Sequence, residues 1–88
     1  MLQKQVIVVN KLGLHARPAA LFVQMANKFI SDITLEKGTK KINAKSIMGV
    51  MSLGVGKGEQ ITIHVDGPDE QEALEALVNL IEVTISGM

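Results

Sequence analysis

Apolar residues recur along this chain at two different periods, and the order in which those periods alternate confines it to one broad class of fold. Gln3 to Val9 is rich in Val and Ile and reads as a first strand. A turn-rich loop, Asn10 to His15, follows. Ala19, Ala20, Leu21, Val23 and Ala26 then fall at helical spacing, which predicts a helix from about Ala16 to Asn27. Over Asp32 to Glu36, Ile33 and Leu35 alternate with polar neighbours as in a second strand. Lys37-Gly38-Thr39-Lys40 supplies a tight turn and Lys41 to Asn43 starts a third strand, so the pair predicts a hairpin. Ser46, a good helix N-cap, precedes the short apolar run Ile47, Met48, Val50, Met51 and Leu53, which the glycines of 54–58 end. Gln60 to Val65 alternates cleanly as a fourth strand. Asp66 to Asp69 turns the chain, with Pro68 at the mouth of a last helix from Glu70 to about Thr84. Ala73, Leu74, Leu77, Leu80 and Ile81 form its apolar stripe, and acidic residues cluster in its first turn, where the helix dipole favours them. The order β-α-β-β-α-β-α predicts an α+β fold, a four-stranded, mainly antiparallel sheet with helices on one face.

The 88 residues suffice for one domain, 1–88, and for no second one. With 47% apolar residues, no Trp, no Tyr and two Phe, the core must be aliphatic. Nine basic side chains balance nine acidic ones, and no basic stripe with interleaved aromatics is present, so direct nucleic-acid binding is not expected. The absence of cysteine excludes disulfides, thiol chemistry and thiolate metal sites, and two distant histidines do not form a metal site, so neither metal nor cofactor is expected. No apolar run approaches a membrane span, and the alternating first ten residues lack the long apolar segment of a secretory signal. The expected location is the cytoplasm.

The passage Gly13-Leu14-His15-Ala16-Arg17-Pro18 carries the chemistry. Proline fits the first turn of a helix, where backbone N–H groups lack partners in any case. His15 therefore stands at a helix mouth, where free amides and the dipole attract anions. An imidazole titrates near pH ~6.5, so its neutral, nucleophilic form is available at neutral pH. The amides of Ala16 and Arg17 offer hydrogen bonds to a transferred phosphoryl group, and the Arg17 guanidinium neutralises charge on its oxygens. Charge–dipole terms of this kind are worth about 0.3–1 kcal/mol at a surface, which suits a carrier that must give its phosphate up again. A histidine taken at random is a plain loop or capping residue about three times in four. The coincidence of Gly13, His15, Arg17 and Pro18 at one helix start lowers that reading to about one in five. His64 alternates with Ile63 and Val65, should face solvent from a strand, and is given no role.

The segments 12–20 (Leu-Gly-Leu-His-Ala-Arg-Pro-Ala-Ala) and 45–53 (Lys-Ser-Ile-Met-Gly-Val-Met-Ser-Leu) closely resemble the HPr family. HPr proteins are the histidine-containing phosphocarriers of the bacterial phosphoenolpyruvate-dependent sugar phosphotransferase system. The resemblance covers essentially the whole chain. It implies the HPr-like open-faced β-sandwich, four strands covered by three helices. It implies that His15 is phosphorylated on Nδ1 by enzyme I and passes the group to sugar-specific enzyme II components, with Arg17 as the family's phosphate-stabilising arginine. At Leu12 the chain departs from many relatives, which carry a small polar residue there; a leucine leaves any such contact to backbone or water.

Ser46 has a sufficient structural explanation as an N-cap, and composition alone puts a regulatory role at about one in ten. The surrounding 45–49 segment resembles the site modified by HPr kinase/phosphorylase in Gram-positive-type HPr. There the phosphoserine hinders enzyme I and creates an epitope for a catabolite-control transcription factor. A short helix on a one-faced sandwich cannot bury Ile47, Met48, Met51 and Leu53 together. With Ala20 they are expected to form an apolar partner surface beside His15, in which adaptable methionines serve several partners. The leading reading is a monomeric, stoichiometric phosphocarrier, not an enzyme. The alternative is a purely regulatory HPr paralogue; such paralogues commonly replace the histidine by glutamine. A third reading, a small enzymatic or ligand-binding domain, lacks a second acid/base group near His15.

Overall fold

The computed structural model describes all residues from Met1 to Met88. Its elements run β1 (Leu2–Ile7), α1 (Ala16–Ala26), β2 (Asp32–Lys37), β3 (Lys40–Asn43), α2 (Ile47–Ser52), β4 (Gln60–Asp66) and α3 (Glu70–Asn79), the last continued by a π-helical turn at Leu80–Thr84. The strands form one sheet in the order β1-β4-β2-β3, and every pairing is antiparallel. Lys37 pairs with Lys40, so Gly38 and Thr39 are the two central residues of the tight Lys37–Lys40 turn that the sequence predicts.

The period of two decides which face is covered. Ile61, Ile63 and Val65 of β4, Ile33 and Leu35 of β2 and Val6 of β1 are buried beneath the helices. His64, Thr62 and Thr34 alternate with them and lie on the other, open face. α1 contributes Ala19, Phe22 and Ala26 to the core, and α3 with its π-turn contributes Ala73, Leu77, Leu80 and Ile81. Phe22 is fully buried at the centre of α1's inner face, whereas Leu21 and Val23, which the sequence placed in the stripe, only flank the core. The i to i+4 spacing of Phe22 to Pro18 and Ala26, both buried, fixes that face.

The α1–β2 connection is tied to the start of α3 by one carboxylate. Asp69 occupies the N-cap position of α3, but its side chain does not cap that helix. Its oxygens accept from the backbone N–H groups of Ile30 and Ser31, each at 3.0 Å, and from the Ser31 hydroxyl. A Cβ on Gly67 would come within 2.6 Å of the Ser31 Cα, so glycine permits this approach of the two loops. The Ser31 hydroxyl foremost, then the two amides, hold the Asp69 carboxyl below its usual range. Its contribution to stability is therefore complete above the ordinary Asp pKa of about 3.9 and is lost as pH falls through the lower folded value. Asp69→Asn should lower the urea midpoint at neutral pH. That deficit should shrink as the solution is acidified, and a deficit independent of pH would remove the carboxylate from this account.

Candidate functional site: the mouth of α1

The loop before α1 is set by a tight chain of contacts. Asn10, 1% exposed, donates from Nδ2 to the Gly13 carbonyl at 2.8 Å, while the Gly13 N–H donates to the Asn10 carbonyl at 3.1 Å. Gly13 has φ +58°, and a Cβ there would lie 2.2 Å from the Val55 carbonyl oxygen. Only glycine fits both the left-handed backbone and that approach. The Leu14 N–H then donates to the same Val55 carbonyl at 3.0 Å, and the Leu14 side chain is fully buried. His15 follows on extended backbone, φ −121° and ψ 159°, so its side chain leaves on the solvent side.

His15 occupies the N-cap position of α1, yet its ring caps nothing. Neither the Ala16 nor the Arg17 N–H finds a backbone acceptor, and Pro18 has no N–H to offer. Arg17 is exposed and takes part in none of the molecule's ion pairs; nor does His15. Ala16 has φ +50°, the one non-glycine residue with positive φ. An L-residue there carries about 1–2 kcal/mol of strain. The structure thus brings an exposed imidazole, two free amides and an unpaired guanidinium to one helix mouth. His15 lines none of the four surface clefts. A side chain on an open surface is suited to contact with another macromolecule rather than to enclosing a small molecule.

α2 stands beside α1. Ser46 is its N-cap, as the sequence predicts, and its Oγ accepts from the Gly49 N–H at 3.2 Å. The loop before it is pinned to the end of α1 by Asn27 Nδ2 on the Lys45 carbonyl, 3.2 Å, and by Lys45 Nζ on the Phe29 carbonyl, 2.6 Å. Ile47, Met48 and Met51 are exposed, Met48 by 77%, and Ala20 of α1 is half-buried. Leu53 corrects the sequence reading: it is 6% exposed and belongs to the core. It follows buried Val50 by three residues, so both share the inner face of the last turn. Leu12, 49% exposed, presents an apolar side chain on the loop that leads to His15.

Three side chains carry more than the sequence suggested. Asn10 closes the loop, as described. Glu59 Oε1 accepts from the Gly56 N–H at 2.6 Å and from Lys37 Nζ at 3.0 Å, on the segment that supplies Val55. These interactions hold the Glu59 carboxyl below its usual range, the Gly56 amide contributing most and Lys37 next. His64 is not simply solvated: its Nε2 lies 2.8 Å from Glu36 Oε1 on the open face of the sheet. A pair spanning two strands carries no local sequence signal.

Comparison with known proteins defines the class. The family model described as the PTS HPr component phosphorylation site matches residues 2–83, and the chain belongs to the HPr family. It is 62% identical over 82 residues to the HPr-like protein Crh of Halalkalibacterium halodurans, covering 93% of this chain and 98% of that protein. It is 49% identical over 81 residues to the phosphocarrier protein HPr of Cupriavidus necator, covering 92% of this chain and 91% of the relative. Among solved structures, HPr from Thermoanaerobacter tengcongensis superimposes with a TM-score of 0.96 at 55% identity, over 100% of this chain and 99% of the other. A domain-swapped dimer of Bacillus subtilis Crh superimposes with a TM-score of 0.75 at 58% identity, over 93% and 94% of the two chains. The four-stranded antiparallel sheet and three helices are those of HPr structures.

The division of α2 into an inner and an outer face is measurable. Leu53→Ala should cost about 2–5 kcal/mol in urea unfolding, as a core truncation does. Met48→Ala should stay within about 0.5 kcal/mol of the parent, as expected of an exposed side chain. Equal losses would refute the assignment of Leu53 to the core and Met48 to the surface.

Proposed function

We propose that this protein is a covalent phosphocarrier: His15 accepts a phosphoryl group from enzyme I, charged by phosphoenolpyruvate, and delivers it to enzyme II A components. The observation that carries this reading is the exposed His15 imidazole at the N-cap of α1 beside the unsatisfied amides of Ala16 and Arg17. In the forward step, the Nδ1 lone pair attacks phosphorus in line, and the bond from phosphorus to the donor group of enzyme I breaks, that group leaving with the bonding pair. The equatorial oxygens meet the two amides and the Arg17 guanidinium, which have no other partners to give up. The same contacts serve the reverse departure. No carboxylate and no second imidazole lies in the Asn10–His15 loop to activate water, and in this reading the chain stores and transfers the group stoichiometrically rather than turning over on its own. Ile47, Met48, Met51 and half-buried Ala20 supply the apolar surface on which partners dock around His15.

Ser46 is the regulatory position in this reading. Phosphorylation by an HPr kinase/phosphorylase adds about −1.5 to −2 charges at the edge of that surface. The added charge weakens docking of enzyme I and favours a catabolite-control transcription factor. The higher identity to Crh than to the Cupriavidus HPr favours a second reading, in which this regulatory role is the whole function. His15 is the residue that supports the carrier role against it. Both readings place the protein in the cytoplasm, and the carrier is taken as a monomer, unlike the swapped Crh dimer.

Incubation with enzyme I and phosphoenolpyruvate should add one acid-labile, alkali-stable phosphate, seen by phosphorus NMR as a phosphoramidate. His15→Ala should abolish it; full labelling of that variant would refute the site. Arg17→Ala should slow transfer without loss of stability, and an unchanged rate would exclude Arg17 from the step. Kinase and nucleotide should place an acid-stable phosphoester on the parent but not on Ser46→Ala. A parent labelled only at Ser46 would favour the regulatory reading.

A further inference from the structure

We infer that Lys37 and Glu59, outside the transfer site, are positioning residues for His15: together they hold the 54–59 loop that seats Gly13 and Leu14. The inference rests on the phosphocarrier reading and adds to it the support that sets where the imidazole stands.

The support is a continuous set of contacts. Lys37, at the end of β2, reaches the Gly54 carbonyl at 2.9 Å, the Leu53 carbonyl at 3.4 Å and Glu59 Oε1 at 3.0 Å. Its ammonium thereby closes the C-terminal end of α2, while Lys40 Nζ reaches the Ser52 carbonyl at 3.0 Å. The same Glu59 oxygen accepts the Gly56 N–H at 2.6 Å, and the Glu59 N–H donates to the Gly56 carbonyl at 3.2 Å. The backbone of Glu59 and Gly58 is fixed in turn by Val8, through bonds of 3.0 and 2.6 Å. Val55, fully buried between these anchors, has one outward task for its carbonyl: it receives the Leu14 N–H and contacts Gly13. His15 is the next residue along.

Half-exposed ion pairs contribute little to stability by themselves. Lys37 and Glu59 differ from such pairs in what they orient. Each ties a different part of one short, glycine-rich loop, whose carbonyl is the reference point for the reactive residue. A small displacement of Val55 moves Leu14 and with it the backbone of His15. Phosphoryl transfer between two proteins is sensitive to displacements of this order, because donor and acceptor must align in line. α2 ends on the same ammonium, so the element that carries Ser46 and the loop that carries Val55 share one anchor.

The test uses the full chain with Lys37→Met, Glu59→Ala, Glu59→Gln and the Lys37→Met/Glu59→Ala pair. Amide exchange is read at Leu14 and, as a control, at Ile63 in β4, together with steady-state transfer from enzyme I. In Glu59→Ala, Leu14 exchange should rise about tenfold while Ile63 holds, the signature of local opening. Turnover should fall about three- to tenfold with KM within about twofold, since docking is intact and alignment is not. Glu59→Gln keeps an oxygen for the Gly56 N–H and should recover most of both. The pair should be no worse than the worse single variant, because both act through one loop. Unchanged Leu14 exchange, equal acceleration at Leu14 and Ile63, or a loss confined to KM would each overturn the positioning role. A parent that takes no phosphate from enzyme I overturns the carrier reading itself, whereas a parent that is labelled normally beside unaffected variants overturns only this inference.

Discussion

Leu14 enters the core and His15 leaves it, one residue apart on extended backbone, and the rest of the site depends on that step. Burying a leucine is worth about 1.5–3 kcal/mol, enough to hold a short loop in one register. The Leu14 N–H on the Val55 carbonyl adds direction to that burial, and Gly13 removes the Cβ that would block it. Once Leu14 is seated, the next side chain faces water, and the helix that begins immediately afterwards presents its free amides there. The exposed imidazole is thus a consequence of core packing.

α2 shows the same economy at its own scale. Six residues cannot form a stable helix alone. Here the Ser46 hydroxyl accepts the Gly49 N–H in its first turn, and Lys37 and Lys40 reach the Leu53 and Ser52 carbonyls at its end. Val50 and Leu53 attach it to the core, which frees Ile47, Met48 and Met51 to face outward. The result is an apolar surface of fixed shape, held on a well-anchored short helix. Ser46, half-buried at the start of this helix, is the residue that caps it.

Much of this is legible along the chain, because it depends on neighbours in sequence. The alternation in β4, the N-cap at Ser46, the glycine, histidine, arginine and proline around the start of α1, and the order of elements all follow from local rules. The assignment of Leu53 to the partner surface fails for a nearby reason. At the end of a short helix, the inner face depends on which way the helix is laid against the sheet, and an apolar run does not reveal that. The sequence does not single out Phe22 for the same reason: neighbouring Leu21 and Val23 are equally apolar, and only the packing of α1 on the sheet selects among them. The contacts of Asp69 with Ser31, of Glu36 with His64 and of Lys37 with Glu59 join residues between 22 and 38 positions apart. They have no period and no motif.

From its sequence alone the chain is committed to an α+β fold, to a histidine at a helix mouth and to a serine at the start of a second helix, since each is written in residues close enough to act on one another in any conformation. The tertiary structure alone decides the strand order β1-β4-β2-β3, the inward turn of Leu53, and the placing of Val55 beneath Gly13 and Leu14. Those outcomes depend on which distant surfaces meet when the apolar faces of sheet and helices close together, and only that closure brings Glu59 and Lys37 to the loop behind His15.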